Sequence, residues 1–145
     1  MNWGIQLASC FLAAVSFSLL VRQPKESMLV SGVIAVAGYG VFLLLGQTTL
    51  AYFGATLLIG VSCEICARIM KRAATLFVTG AIIPLVPGVG LYNTMRHVVE
   101  GSYHEAVSTG AAALLGICAI ALAITATSVI FSAFSARSKR REKRG

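Results

Sequence analysis

Aspartate is absent from this 145-residue chain, and the five acidic residues, all glutamate, stand against twelve lysines and arginines. There is no aspartate at all, and no plausible serine, histidine and acid set is expected on one side of a membrane. A hydrolytic triad therefore lacks its parts, and no enzyme is expected. Metal ligands are equally scarce. Cys10, Cys63 and Cys118 lie in apolar runs, and Cys63-Glu-Ile-Cys66 would need a second ligand pair to make a zinc site. The thiols read as small buried hydrophobes, so neither metal nor cofactor is expected. Charge of either sign is sparse at 12% of residues, whereas 57% are hydrophobic and the mean hydropathy is +0.84. That excludes an ordinary water-soluble domain.

What is present is a series of apolar runs, several approaching the roughly 20 residues that a bilayer-spanning helix needs. The first covers residues 3 to 21 and ends at Arg22-Gln-Pro-Lys-Glu26. Met1-Asn2-Trp3 lacks the positive charge that opens a signal peptide. Leu7-Ala8-Ser9-Cys10 resembles a lipoprotein cleavage box, but the run continues past it, so a retained helix is expected. A second run extends from Met28 to Leu45. Its Gly38-Tyr39-Gly40 matches only part of a potassium-channel filter and is better read as close helix packing. Leu50 to Ala67 makes the third, with Glu64 toward its end and Arg68 four residues on. A carboxylate at that depth is a candidate coupling or gating group together with Arg68. The alternative is an interfacial pair that snorkels to water.

The fourth run starts near Ala73 and carries Ile82-Ile-Pro-Leu-Val-Pro-Gly-Val-Gly-Leu-Tyr92, with two of the three prolines of the chain. Proline withholds an amide and its ring collides with the carbonyl four residues back, so Gly80 and Ile83 should lose their helical partners. Within hydrocarbon such a break survives only against protein or a wet cavity. Two half-helix ends then face one another. Carbonyls around Gly80 to Ile83 form a partially negative end, and the amides of Gly88, Val89 and Gly90 a partially positive one. Such a pair suits a small polar solute. Pro84, Pro87, Gly88, Gly90, Tyr92 and Asn93 are the candidate substrate-binding residues, with Arg96 and His97 as coupling or gating groups at the mouth. The bland reading is a proline kink in a packed helix.

Beyond the break, Leu91, Met95, Val98 and Val99 recur at helical spacing, and Gly101 should end that half-helix. Ser102-Tyr-His-Glu105 has capping-box spacing and should begin a fifth helix that runs to about Phe134. This is longer than one bilayer requires, so tilt or protrusion is expected. Ser108, Ala112 and Gly116 fall four apart, as do Ala119, Ala123 and Thr127, stripes that admit a partner helix.

The expected fold is all-α, a polytopic membrane protein of five transmembrane helices with the fourth interrupted. Residues 1–136 form one membrane domain, and 137–145 a basic tail that holds half of the twelve basic residues. If each run crosses once, Arg22 and Lys25, then Arg68, Lys71 and Arg72, then the tail share one side. Positive charge collects on the cytoplasmic side, which places the N-terminus outside and the C-terminus in the cytoplasm. The tail lacks interleaved aromatics, so it reads as a topology anchor and no nucleic-acid partner is expected.

Residues Ile83 to Met95, then Glu100-Gly-Ser-Tyr103 and the run Ala106 to Ala123, make the chain resemble the threonine/serine exporter family. The likeness extends over roughly residues 8 to 130 and is narrower still to the small five-helix subunit of the split, two-protein members. It implies efflux of threonine, serine or a related small carboxylate across the bacterial inner membrane, beside a larger membrane subunit. Single-chain members fuse two such halves, and this chain matches only the second. Pro84, Pro87, Gly88 and Tyr92 carry over from the motif; Glu64, Arg68, Arg96 and His97 rest on the residue chemistry alone. A gradient-driven secondary transporter is the first expectation. A structural membrane-assembly subunit with no transport site is the alternative.

Overall fold

A backbone that meets no water must close its amides on its own carbonyls, so long apolar runs in a bilayer become helices. The computed structural model describes residues 3–142, and among them all regular structure is helical: α1 (Trp3–Leu20), α2 (Lys25–Leu44), α3 (Thr49–Ile69), α4 (Ala74–Ile82), α5 (Gly88–Val99) and α6 (Tyr103–Glu142). Met1, Asn2 and the end of the basic tail, residues 143–145, lie outside the described residues. Helices α1, α2, α3 and the first 31 residues of α6 are each long and apolar enough to cross a membrane. Helices α4 and α5, joined through a 3-10 turn at Ile83–Leu85, pass the same test together, bent by 46°. The chain is thus an all-helical polytopic membrane protein with an interrupted fourth span.

The turns are short because α1, α2, α3 and α5 stop in the same way. After α1, Gln23 N bonds Ser18 O and Arg22 N bonds Leu19 O, both at 3.0 Å, with Arg22 at φ 54°. After α5, Ser102 N bonds His97 O at 2.9 Å and Gly101 N bonds Val98 O at 3.2 Å, with Gly101 at φ 76°. These paired bonds are the Schellman motif, which satisfies carbonyls that a helix end would otherwise orphan. Gly46 and Lys71 occupy the same left-handed position after α2 and α3. Gly101 closes α5 as its permissive backbone predicts.

The core is built largely from small residues. Ala14, Ala35, Ala51, Ala55, Cys63 and Ala81 are fully or almost fully buried, with Phe77 and Ile59 the largest side chains among them. Glycines bring helix axes together: a Cβ on Gly32 would lie 2.7 Å from the Phe11 ring, and one on Gly60 would lie 2.6 Å from Thr127 Oγ1. Hydrocarbon gives helices no hydrophobic drive to associate, so this close fit carries the packing energy.

Direction follows from register. Tyr52 packs at Gly116 and Gly60 at Thr127, while Arg68 Nη2 donates to Phe131 O at 2.8 Å. Positions rise together along α3 and α6, so the two helices run parallel. The segment 74–99 between them therefore carries the chain across once and is not a re-entrant hairpin.

The small-residue stripes divide. Ala119, Ala123 and Thr127 are buried on the face that meets α3. Gly116 is buried against Tyr52, whereas Ser108 and Ala112 are exposed. A four-residue step overshoots the 3.6-residue turn and drifts around the helix, and α5 meets α6 through Gly110 and Ala113 instead. Helix α6 also continues to Glu142, past the expected end near Phe134. Arginine, lysine and glutamate are good helix formers, and neither proline nor glycine intervenes.

Candidate functional site

The fourth span breaks where two prolines three apart each withhold an amide from the helical ladder. Pro84 has no amide for Gly80 O. Ile83 O is recovered by Val86 N at 3.3 Å, which tightens the backbone into the 3-10 turn. Val86 then turns extended at ψ 128°, and Pro87, at φ −74° and ψ 57°, caps α5 with no side-chain hydrogen bond. Leu85, 2% exposed, pins the turn into the core; the turn packs against α1 and α2.

At the start of α5, Gly88 N bonds Val86 O at 2.7 Å and Leu91 N bonds Pro87 O at 3.1 Å. The expected free amide at Gly88 is thus engaged in a tight turn, leaving Val89 and Gly90 as the amides of an uncapped helix start. Gly88 is exposed with open space where a side chain would point, but Gly90 faces α6, where a Cβ would lie 3.2 Å from Ala113 Cβ. Pro87 is buried, Pro84 and Asn93 are half-buried, and Tyr92 is exposed. The motif residues therefore separate into an inward pair of prolines and an outward Gly88 and Tyr92. Gly90 serves helix packing. Tyr92 joins Met95, Arg96, Val99 and Glu100 along a shallow groove on α5.

The charged residues form two separate groups. At the far end of α5, Arg96 Nε donates to Glu100 Oε1 at 2.8 Å. His97 Nδ1 stands 3.2 Å from Glu105 Oε2 and 4.0 Å from Glu100 Oε2, ion-pair distances without hydrogen-bond alignment. Glu105 thus turns to His97, and the Ser102 carbonyl opens α6 by accepting from Ala106 N at 3.0 Å. The capping-box spacing concealed this role for Glu105. Glu64 and Arg68 lie apart, toward the end of α3. Arg68 bonds the Phe131 carbonyl and stacks its guanidinium 4.8 Å above the Phe131 ring. No salt bridge joins Arg68 to Glu64 among the described residues, and the half-buried Glu64 stands on α3 without it.

A polar cluster beneath the break has no counterpart in the residue-by-residue reading. Ser18, Ser27 and Ser31 are fully buried and Gln23 nearly so. Gln23 Nε2 donates to Leu76 O on α4, and Ser31 Oγ reaches Gln23 Oε1 at 3.5 Å. Ser18 Oγ and Ser27 Oγ have no hydrogen-bond partner. Only the spacing of Ser27 and Ser31, one helical turn apart in an apolar run, hinted at it.

A family model described as threonine/serine exporter, ThrE, matches residues 6–130. No characterised protein and no solved structure matches the chain.

Proposed function

Because the chain belongs to the threonine/serine exporter family, we propose that it exports threonine, serine or a related small carboxylate as one subunit of a gradient-driven secondary transporter. A larger membrane subunit of the same family supplies the remainder of the path. The observation that carries this reading is the break itself: an uncapped start of α5 inside an interrupted span, with Gly88 open in front of it.

A helix start presents unbonded amides and the positive end of its dipole, which favours a carboxylate. Half-helix ends within a span are where secondary transporters hold small ions and substrates. Tyr92 supplies a hydroxyl one turn on. Arg96 and His97, with Glu100 and Glu105, form the charged mouth through which the solute leaves. Glu64 and Arg68 sit at the opposite end of the path. By the distribution of positive charge, the site opens outward from a bacterial inner membrane, with the N-terminus outside and the C-terminus cytoplasmic.

Accumulation of labelled threonine and serine in vesicles holding this chain, with and without the larger subunit, tests the proposal. Gly88→Leu has room for its side chain, so it should leave expression and helicity unchanged while reducing flux at least tenfold. Unchanged flux in Gly88→Leu combined with Pro87→Ala would sink the site. The exposure of α5, which buries none of its residues, favours a second reading as an assembly subunit that moves nothing itself. That reading requires flux to survive Glu64→Gln and Arg96→Gln while Ala112→Leu, on an exposed face of α6, abolishes assembly.

A further inference from the structure

Of the residues that follow the left-handed position in the four Schellman turns, Gln23, Gln47, Arg72 and Ser102, only Gln23 is buried. That position ordinarily packs an apolar side chain against the helix it ends. Here the α1 turn, with Arg22 at φ 54° and Gln23 N bonded to Ser18 O, aims a carboxamide into the bundle. Its Nε2 donates to the carbonyl of Leu76, 53 residues away on α4. Around that bond the three helices contribute small or hydroxyl-bearing residues. Ser18 comes from α1, Ser27 and Ser31 from α2, and α4 offers Gly80, where a Cβ would collide with Ser18 Oγ and lie 3.2 Å from Ser31 Cβ.

From this arrangement we infer that Gln23 is a positioning residue, and that with Ser18, Ser31 and Gly80 it forms the inner gate of the path. Its bond to Leu76 holds α4 shut against the α1–α2 corner. The inference rests on the transport reading above.

Three observations favour a gate over a fixed clamp. The bond lands on α4, the first half of the broken span, directly before the hinge at Pro84–Pro87. The half beyond the hinge is held differently, for α5 packs chiefly on α6 whereas α4 packs on α1, α2 and α3. Moreover, Ser18 and Ser27 bury hydroxyls that bond nothing. Permanent packing would favour alanine there, since an unpaired buried hydroxyl is costly. Hydroxyls that regain water when α4 swings away lower the cost of opening.

Reactivity of Ser27→Cys toward a membrane-impermeant cationic methanethiosulfonate tests the gate. The Ser27 hydroxyl has no partner, so the thiol removes no hydrogen bond. The full chain, with its four native cysteines replaced, is labelled in vesicles of both orientations beside the flux assay. With Gln23 in place, labelling should be slow from the side that bears the α1–α2 turn. Gln23→Leu should accelerate it at least tenfold from that side alone. Gly80→Ala, which wedges α4 away, should do the same, and adding Ser18→Ala should return it to the slow rate. That rescue keeps the test decisive should Gln23→Leu fail to accumulate. Rapid labelling with Gln23 present, or slow labelling in both Gln23→Leu and Gly80→Ala, would overturn the gate. Altered flux with unaltered labelling removes the gate and leaves transport standing. Altered labelling with no flux in any variant retains the moving α4 and removes transport.

Discussion

Single atoms decide how closely these helices approach. At Gly60 a methyl group would meet Thr127 Oγ1 at 2.6 Å, and Thr127 is held in place by bonds from its hydroxyl to Ala123 O and Ile124 O at 3.1 and 2.8 Å. Neither side can yield without moving a helix. Gly60→Ala should therefore destabilise the α3–α6 pair by about 1–3 kcal/mol, the usual cost of overpacking a close-fitting interior. Thermal unfolding in detergent would read this as a lowered midpoint, and an unchanged midpoint would show that the interface is softer than described. Thr127→Ala in the same background should recover much of the loss. At this scale the sequence was only partly legible. Glu64 followed by Arg68 has the spacing of a helical pair, yet Arg68 takes the Phe131 carbonyl and ring on α6. Spacing within one helix cannot reveal a competing partner on another.

Among the elements, the most legible features were those dictated by backbone chemistry. Proline has no amide to give and glycine alone enters the left-handed region freely, so the break at Pro84–Pro87 and the stop at Gly101 could be read directly from residue types. Illegible were the contacts that join distant elements. Nothing near Gln23 points to Leu76, and nothing near Glu105 favours His97 over a capping role. Arg22 and Lys71 went unmarked for a different reason. Each occupies a left-handed turn position, at φ 54° and 52°, where a side chain costs on the order of 1 kcal/mol relative to glycine. Lys71→Gly should thus stabilise the isolated chain by a few tenths to about 1 kcal/mol, measured as a raised unfolding midpoint. The same change removes a positive charge from the end of α3. If those charges set orientation, Lys71→Gly combined with Arg72→Gln should increase the fraction of inverted molecules, seen by protease protection of a C-terminal tag.

For the whole molecule, the parallel course of α3 and α6 matters most, because it distinguishes a broken span from a hairpin that returns. Tyr52→Cys with Gly116→Cys, and separately Gly60→Cys with Thr127→Cys, should each cross-link under mild oxidation. An antiparallel arrangement permits at most one of the two pairs, so failure of either would count against a single crossing. Hydropathy alone allowed five spans but left the fourth open to either course, since a re-entrant hairpin and a kinked crossing share the same apolar run. The loop charges argued for crossing, and the register of two helices distant in sequence supplied the geometry.

The register has a practical corollary. Gly116 sits level with Tyr52, close to the start of α3, while α6 begins at Tyr103. Thirteen residues of α6 thus rise about 20 Å beyond that level, and α5 accompanies them to the turn at Glu100–Ser102. The paired helices form a short turret with an exposed glycine at its tip. Loop tips of this kind accept inserted sequence more readily than packed elements do. A small epitope placed after Gly101 should leave the bundle intact and be stained by antibody on unpermeabilised spheroplasts. Staining only after permeabilisation would place the turret on the opposite face of the membrane.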